Sequence, residues 1–301
     1  MKVSAILWFA WMLSVRLLLA ADLNLEVIPL PPLRIDGQPA RAHTQGLVVT
    51  GNVYFVTARR DDTNPRQALL LRTWSSRTNW DVWRITPSKG EKPMTSLDHP
   101  GGMDFDGTNF WIPIAEGKPK SRSIVCAFAE ADIIPQKSLH PVFSFPVNDH
   151  IGAVAVDPKD GTLLGANWDT ETVYVWDRTG RLQRTLSGLE LGARGLGPHS
   201  ISNSPGLAVQ DWKFGIENQL FASGLLLGPL PRNVRNRSRL VLFNNFLDEK
   251  FRVSTMSLPL QNGVEICREG MTLWNASAYF LPEDLGQSNR LFRYRFSPGV
   301  K

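Results

Sequence analysis

One pattern of apolar and polar positions recurs five times along the chain: a glycine, a short apolar stretch, a polar turn and a second apolar stretch. It reads QGLVVTGNVYFVT from Gln45, GGMDFDGTNFWIP from Gly101 and IGAVAVDPKDGTLLGANW from Ile151. Looser copies are PGLAVQDWKFGIENQLFASG from Pro205 and EGMTLWNASAYFLP from Glu269. The leading glycines, Gly46, Gly102, Gly152, Gly206 and Gly270, are spaced 56, 50, 54 and 64 residues apart. Alternating apolar residues around Thr-Gly, Asp-Gly or a similar turn predict a β-hairpin in each copy. A third strand follows at a similar offset, at 68–74, 123–129, 172–177, 239–245 and 290–296. Fourth strands are legible at 80–85, 141–145, 182–186 and 251–258, but the fifth copy runs out of chain before it reaches one. The apolar run at 22–30 has the composition of that missing strand.

Repeats of four strands, with no long helical periodicity between them, predict an all-β fold: a single β-propeller over residues 22–301. Five four-stranded blades are expected, with a degenerate sixth possible in the long 206–270 interval. The N-terminal strand would complete the last blade and close the ring, removing its open edges.

Composition adds compartment rather than fold. Of 301 residues, 43% are hydrophobic and 20% charged, which excludes a disordered or collagen-like chain. Residues 1–21, MKVSAILWFAWMLSVRLLLAA, read as a signal peptide: Lys2 opens an apolar run that ends in Ala20-Ala21. An apolar run this short, interrupted by Arg16, is marginal for spanning about 30 Å of hydrocarbon, so no stable membrane anchor is expected after cleavage. The sequons Asn236-Arg237-Ser238 and Asn275-Ala276-Ser277 add the expectation of a secreted glycoprotein, with Asn236 as the more accessible acceptor. Cys126 and Cys267 are too few for a disulfide framework, and could pair or stay as buried thiols. The net charge of +5 is mild. The arginine-rich stretch 231–239, PRNVRNRSR, lacks interleaved aromatics, so it reads as a solvated loop and no nucleic acid is expected as partner.

In a propeller the inner strands line a central channel, and ligands gather at the mouth where the loops before those strands converge. Those loops carry His43-Thr44-Gln45, Asp98-His99, Asp149-His150, His199 with Asn203, and Arg268-Glu269; the ends of the second strands add Arg59, Glu116, Asn167-Trp168 and Glu283. Four of the five histidines thus point to one region. Imidazole and carboxylate groups there suit acid–base work. His99, His150, Glu116 and Arg268 are the candidate catalytic residues, with His43, Gln45, Trp168, His199 and Asn203 as candidate substrate contacts. Each of these polar groups could instead tie a turn or a neighbouring blade. Asp104, Asp106, Asp157 and Asp160 fit that second role, and Trp74, Trp83, Trp111 and Trp176 fit blade packing. No HExxH, Cys/His cluster, G-x-S-x-G elbow or dinucleotide fingerprint is present, so neither a metal nor a cofactor is expected.

The segments HTQGL, HPGGMDFDG, SRSIV and DHIGAVAVDPKDGTL resemble a family of secreted propeller proteins in bacteria and fungi, over roughly residues 40–180. A fungal branch of similar proteins comprises the hetero-Diels–Alderases of tropolone–sesquiterpenoid biosynthesis. That resemblance implies small-molecule partners: a tropolone precursor that loses water to a quinone methide, and a humulene-type sesquiterpene that adds to it. In such a reaction His99, His150 or Glu116 would donate the proton, Arg268 would hold the tropolone oxygens, and Trp168 would wall the pocket. Two other classes stay open: a metal-dependent, lactonase-like hydrolase built on Glu116, Asn167, Asn203 and Glu283, and a non-catalytic small-molecule-binding propeller.

Overall fold

The protein is a five-bladed β-propeller. The computed structural model describes residues 24–85, 96–135, 139–198, 205–215, 218–230 and 234–295; the expected leader, His199 and Asn203 lie outside them. The first blade runs His43–Thr50, Val53–Arg60, Gln67–Trp74 and Asp81–Arg84 from axis to rim, every neighbouring pair antiparallel. Blades three and four repeat it from Ile151–Val156 and Leu207–Phe214 outward. In blade two the inner strand is broken into Leu97–Pro100 and Asp104–Phe105, both paired with Asn109–Glu116. Blade five carries Gly270–Leu273, Ser277–Leu281 and Asn289–Arg295, and its fourth strand is Asn24–Leu30. The N-terminal strand therefore closes the ring as expected, each residue from Asn24 to Leu30 facing one from Arg295 to Asn289. No sixth blade is found among the described residues; the long fourth interval is taken up by 8-residue strands and an irregular return past Gln261 and Val264. Among the described residues the one α-helix is the short Leu189–Ala193, and a 3-10 turn spans Glu130–Asp132.

The hydrophobic core is divided into five clusters, one at each blade interface. Phe55, Leu70 and Trp83 of blade one meet Phe110, Ile112 and Phe128 of blade two. Trp111 and Val125 meet Ile151 and Trp176 across the next interface, and Trp212 and Phe243 pack on the Ala153–Ala155 side of blade three. The remaining two clusters flank blade five. Each strand face serves a different cluster, so the alternation seen in sequence is an alternation between two buried faces rather than between core and solvent.

The expected open channel is corrected: the inner strands meet one another on the axis. A Cβ on Gly46 would lie 2.5 Å from the Met103 nitrogen, and one on Gly102 would lie 2.5 Å from the Gln210 carbonyl oxygen. Glycine recurs at these positions because backbone packs on backbone there. Asp211, fully buried, completes the closure by accepting from the Leu47 nitrogen at 3.1 Å, the Met271 nitrogen at 3.0 Å and the Lys213 ammonium at 2.5 Å. It ties blades one, four and five together. The aspartates of the hairpin turns also tie blades. Asp104 accepts from the Val156 nitrogen of blade three at 2.9 Å, and Asp106 accepts from Trp111 Nε1 at 2.9 Å and from Arg178. Cys126 and Cys267 are free, buried thiols in separate clusters.

Candidate functional site

The mouth is assembled by strand pairing and by irregularities in the inner strands. His43 stands opposite Arg59, His99 opposite Ala115 and Ile151 opposite Asn167, so entry loops and second-strand ends do share one rim. Bulges interrupt the inner strands at Gln45, Gly152 and Gln210, and in blade two Gly101–Met103 breaks the strand outright. Such a bulge re-aims the residues before it. Here those residues include His43, His150 and Ile151, while Gln45 itself is the bulged, buried residue of blade one.

His99, His150 and Trp168 form one packed group. The two imidazoles meet edge to face at 5.1 Å between centroids, and Trp168 stands 5.9 Å from His99 and 4.5 Å from His150. The Trp168 nitrogen also donates to the His150 carbonyl at 2.9 Å. His150 Nδ1 donates to the Lys118 carbonyl at 3.0 Å, which leaves Nε2 with its lone pair. Arg59 Nη1 donates to His99 Nδ1 at 3.2 Å, which puts the His99 proton on Nε2.

These contacts bear on the protonation of His99, His150 and Glu116. Burial, aided by the Arg59 charge, pushes His99 down to about 2, so it is a neutral imidazole at any physiological pH. Burial lowers His150 as well, against the pull of the carbonyls it donates to. Glu116 is bound by Arg122 at 2.8 Å, which holds its carboxyl below the usual range as a carboxylate. None of the three has a readily released proton near neutrality. They form a wall.

The proton-bearing groups are on the neighbouring rim. His43 Nδ1 donates to Asp284 at 2.6 Å, and that bond raises the imidazole while lowering the carboxyl. Glu269, at 5% exposed, is pushed up to about 7 by burial, only partly offset by the His43 and Arg268 cations. Its Oε2 has no hydrogen-bond partner, and its Oε1 is 3.4 Å from Arg268 Nε. A carboxyl with one bare oxygen and a neutral-range titration is suited to giving and taking a proton. Arg268 and His43 line a cleft of about 650 Å³ with Asp284 and Glu283. Arg59 links the two rims: it bonds His99 and stands opposite His43 in register.

The residues of the metal-site alternative are held apart on partners of their own. Asn167 donates to Asp149 at 2.8 Å and accepts from the Thr172 nitrogen, Glu283 is gripped by Arg290 at 2.6 and 2.9 Å, and Glu116 is on Arg122. Among the described residues no group of three His, Cys, Asp or Glu side chains is placed to hold a metal ion.

The family described as "Family of unknown function (DUF6454)" matches residues 33–191, just over half of the chain. The chain belongs to this family. The family's span takes in His43, His99, His150 and Trp168, whereas Arg268, Glu269 and Asp284 lie beyond it. Among curated proteins, 89 residues are 34% identical to the N-(5'-phosphoribosyl)anthranilate isomerase of Natronomonas pharaonis, over 30% of this chain and 40% of that one. Among solved structures, a bifunctional GH43-CE protein of Bacteroides eggerthii superposes with a TM-score of 0.53 at 9% identity, over 83% of this chain and 32% of that one. A GH43 glycoside hydrolase with an engineered active site gives 0.55 at 10% identity, over 91% of this chain and 53% of that one. This family member thus spans about half or less of each of these proteins, and the two structural likenesses concern the propeller fold alone.

The wall histidines give a pH signature. Both are held neutral in the fold but take up protons near 6.5 when unfolded, so the stability they contribute is complete above 6.5 and is lost as the pH falls below it. Glu269, whose folded pKa is raised, works in the opposite sense between about 7 and its unfolded value, so a single pH curve mixes the two. The difference between the parent and His99→Asn isolates one group. Below pH 6.5 the parent's advantage is expected to shrink by about 1.4 kcal/mol per pH unit, one proton's worth. Urea titrations at several pH values measure this; a constant difference from pH 7.5 to 5 would show that His99 charges normally in the fold.

Proposed function

We propose that the protein is a cofactor-independent enzyme that removes water from a small oxygenated substrate and holds the electrophile so formed against an alkene. The specific reaction in view is the hetero-Diels–Alder addition of a tropolone-derived quinone methide to a humulene-type sesquiterpene. The observation that carries this reading is the partnerless oxygen of buried Glu269 beside the His43–Asp284 pair. In the elimination, Glu269 gives its proton to the leaving hydroxyl as the C–O bond breaks. The ring hydroxyl proton returns to the His43–Glu269 pair, so that one water is lost and the enzyme is restored. Arg268 steadies the ring oxygens as charge moves onto them. The addition needs no nucleophile, and both cysteines are buried. It needs two partners held in register, an entropic service of up to about 7–11 kcal/mol. Trp168, half-buried and backed edge to face by the two neutral imidazoles, supplies an apolar ring for that purpose.

Protein collected from the medium of a eukaryotic host, incubated with the hydroxymethyl tropolone and a humulene alcohol, is expected to form adduct above the uncatalysed background, with EDTA having no effect. Lactone hydrolysis abolished by EDTA would instead favour the hydrolase, and affinity without turnover the binding propeller. Protein retained in the cells would overturn the secretory part of the reading. Of the two sequons, Asn275 is the better acceptor in such a host. It is exposed at a hairpin tip, whereas the Asn236 amide is half-buried and committed to the Leu258 carbonyl at 2.7 Å.

A further inference from the structure

The arginine-rich stretch read above as a solvated loop does not point wholly into solvent. Arg239 is structural, with Nη1 donating to the Asn236 and Ser238 carbonyls at 2.8 and 2.7 Å. Arg235 and Arg237, by contrast, line the 650 Å³ cleft together with Arg268. The carboxylates of that cleft are already engaged. Glu283 is gripped by Arg290, Asp284 holds His43, and Glu265 accepts a short hydrogen bond from the Arg237 backbone nitrogen. Arg268 is 3.4 Å from Glu269, but Arg235 and Arg237 are not neutralised in return. Arg237 donates Nε and Nη2 to the Leu226 carbonyl at 3.3 and 2.7 Å, which fixes its plane without cancelling its charge. Among the described residues, neither the Arg235 nor the Arg237 side chain makes an ion pair.

We propose that this cleft is a binding subsite for a planar monoanion, a carboxylate or a tropolonate, held by Arg235, Arg237 and Arg268. Guanidinium groups, of which Arg237 is held in place by the Leu226 carbonyl, match two coplanar oxygens through paired hydrogen bonds. Glu265, Glu283 and Asp284 around the same walls oppose a second negative charge, so a dianion is disfavoured. The volume is that of a small-molecule site. The inference rests on the proposed reading only in taking this mouth as the place where substrate enters.

Isothermal titration of the full chain with benzoate and with tropolonate tests it, inorganic phosphate being the comparison anion. Both planar anions are expected to bind saturably, more weakly as salt is added, and more tightly than phosphate. Arg235→Gln is expected to weaken them about tenfold or more, the effect of losing one charge-assisted contact. Arg237→Gln should do the same, but it also releases the Leu226 anchor, so the Arg235 variant is the cleaner measurement. Absence of saturable benzoate and tropolonate binding, unchanged affinity in Arg235→Gln, or tighter phosphate binding would each overturn the subsite. Binding without adduct formation would sink the proposed reaction and leave the subsite standing. Adduct formation unchanged in Arg235→Gln would do the reverse.

Discussion

Glu269→Gln is expected to lower turnover by about 10²–10⁴-fold, the usual contribution of one general acid, while the protein stays folded. Glutamine keeps the shape of a protonated carboxyl, and the site already holds that group without a partner on Oε2. The sharper test is the pH profile. Because the acid form is the active one, kcat/KM in the parent should fall as the pH rises through about 7, where burial has placed this carboxyl. In the glutamine variant that limb should be absent, and what rate survives should come from holding the partners together. His43→Gln should move the limb to higher pH, because the His43 cation is one of the charges that lower Glu269. A glutamine variant that keeps both the parent's rate and its limb would place the acid elsewhere. Loss of rate with an intact limb in the few molecules still turning over would mark Glu269 as structural.

The fold was legible because hairpin signals and strand alternation are local. The Thr-Gly and Asp-Gly turns announced the blades, and the regular offset of third and fourth strands announced the ring. Even the closing strand could be found by asking what the fifth copy lacked. The closed axis was harder to foresee. Gly46, Gly102 and Gly270 were visible as repeat markers, but only the three-dimensional approach of one backbone to another says that nothing passes between them. Asp211 and Lys213, two apart on one strand, carry no repeat signal and pair at the centre.

The site divides in the same way. Its place was legible, since His43, His99, His150 and Trp168 do gather at one mouth. Its chemistry was not, because protonation is set by surroundings. His99 and His43 are the same residue type on equivalent loops, yet one is stripped of water beside Arg59 and the other is braced by Asp284. Asp284 escaped notice beside Glu283, although both line the same cleft. Glu269 stood in the entry loop in plain view, and only its burial makes it an acid. Arg235 and Arg237 were discounted for their polar neighbours, when the missing counter-charges were the informative feature.

Removing residues 24–30 is expected to abolish cooperative folding rather than trim a tail. The strand lies at the rim of blade five, yet it contributes to both clusters that flank that blade. Leu30 and Ile28 pack with Leu47, Leu69 and Leu291 on one side, while Leu25 packs with Phe280 and Phe292 on the other. Glu26 also draws Arg293 and Arg295 together, an exposed arrangement that adds little by itself. Leu30→Ala alone should cost about 2–5 kcal/mol, a large share of a net stability on the order of 5–15 kcal/mol. Deleting the strand opens two cores, exposes an edge of Asn289–Arg295, and leaves blade five joined to blade one only by shorter contacts such as the Ala42–Leu285 bridge and the His43–Asp284 pair. A ring gains its stability from every interface at once, so the loss should spread beyond blade five. Thermal or denaturant unfolding of the truncated chain should show no cooperative transition, and supplying 24–30 as a separate peptide should restore one if closure is the cause. A truncated protein that stays soluble and unfolds cooperatively near the parent midpoint would mean that blade five holds its place through Gly270–Leu273 and the axis alone.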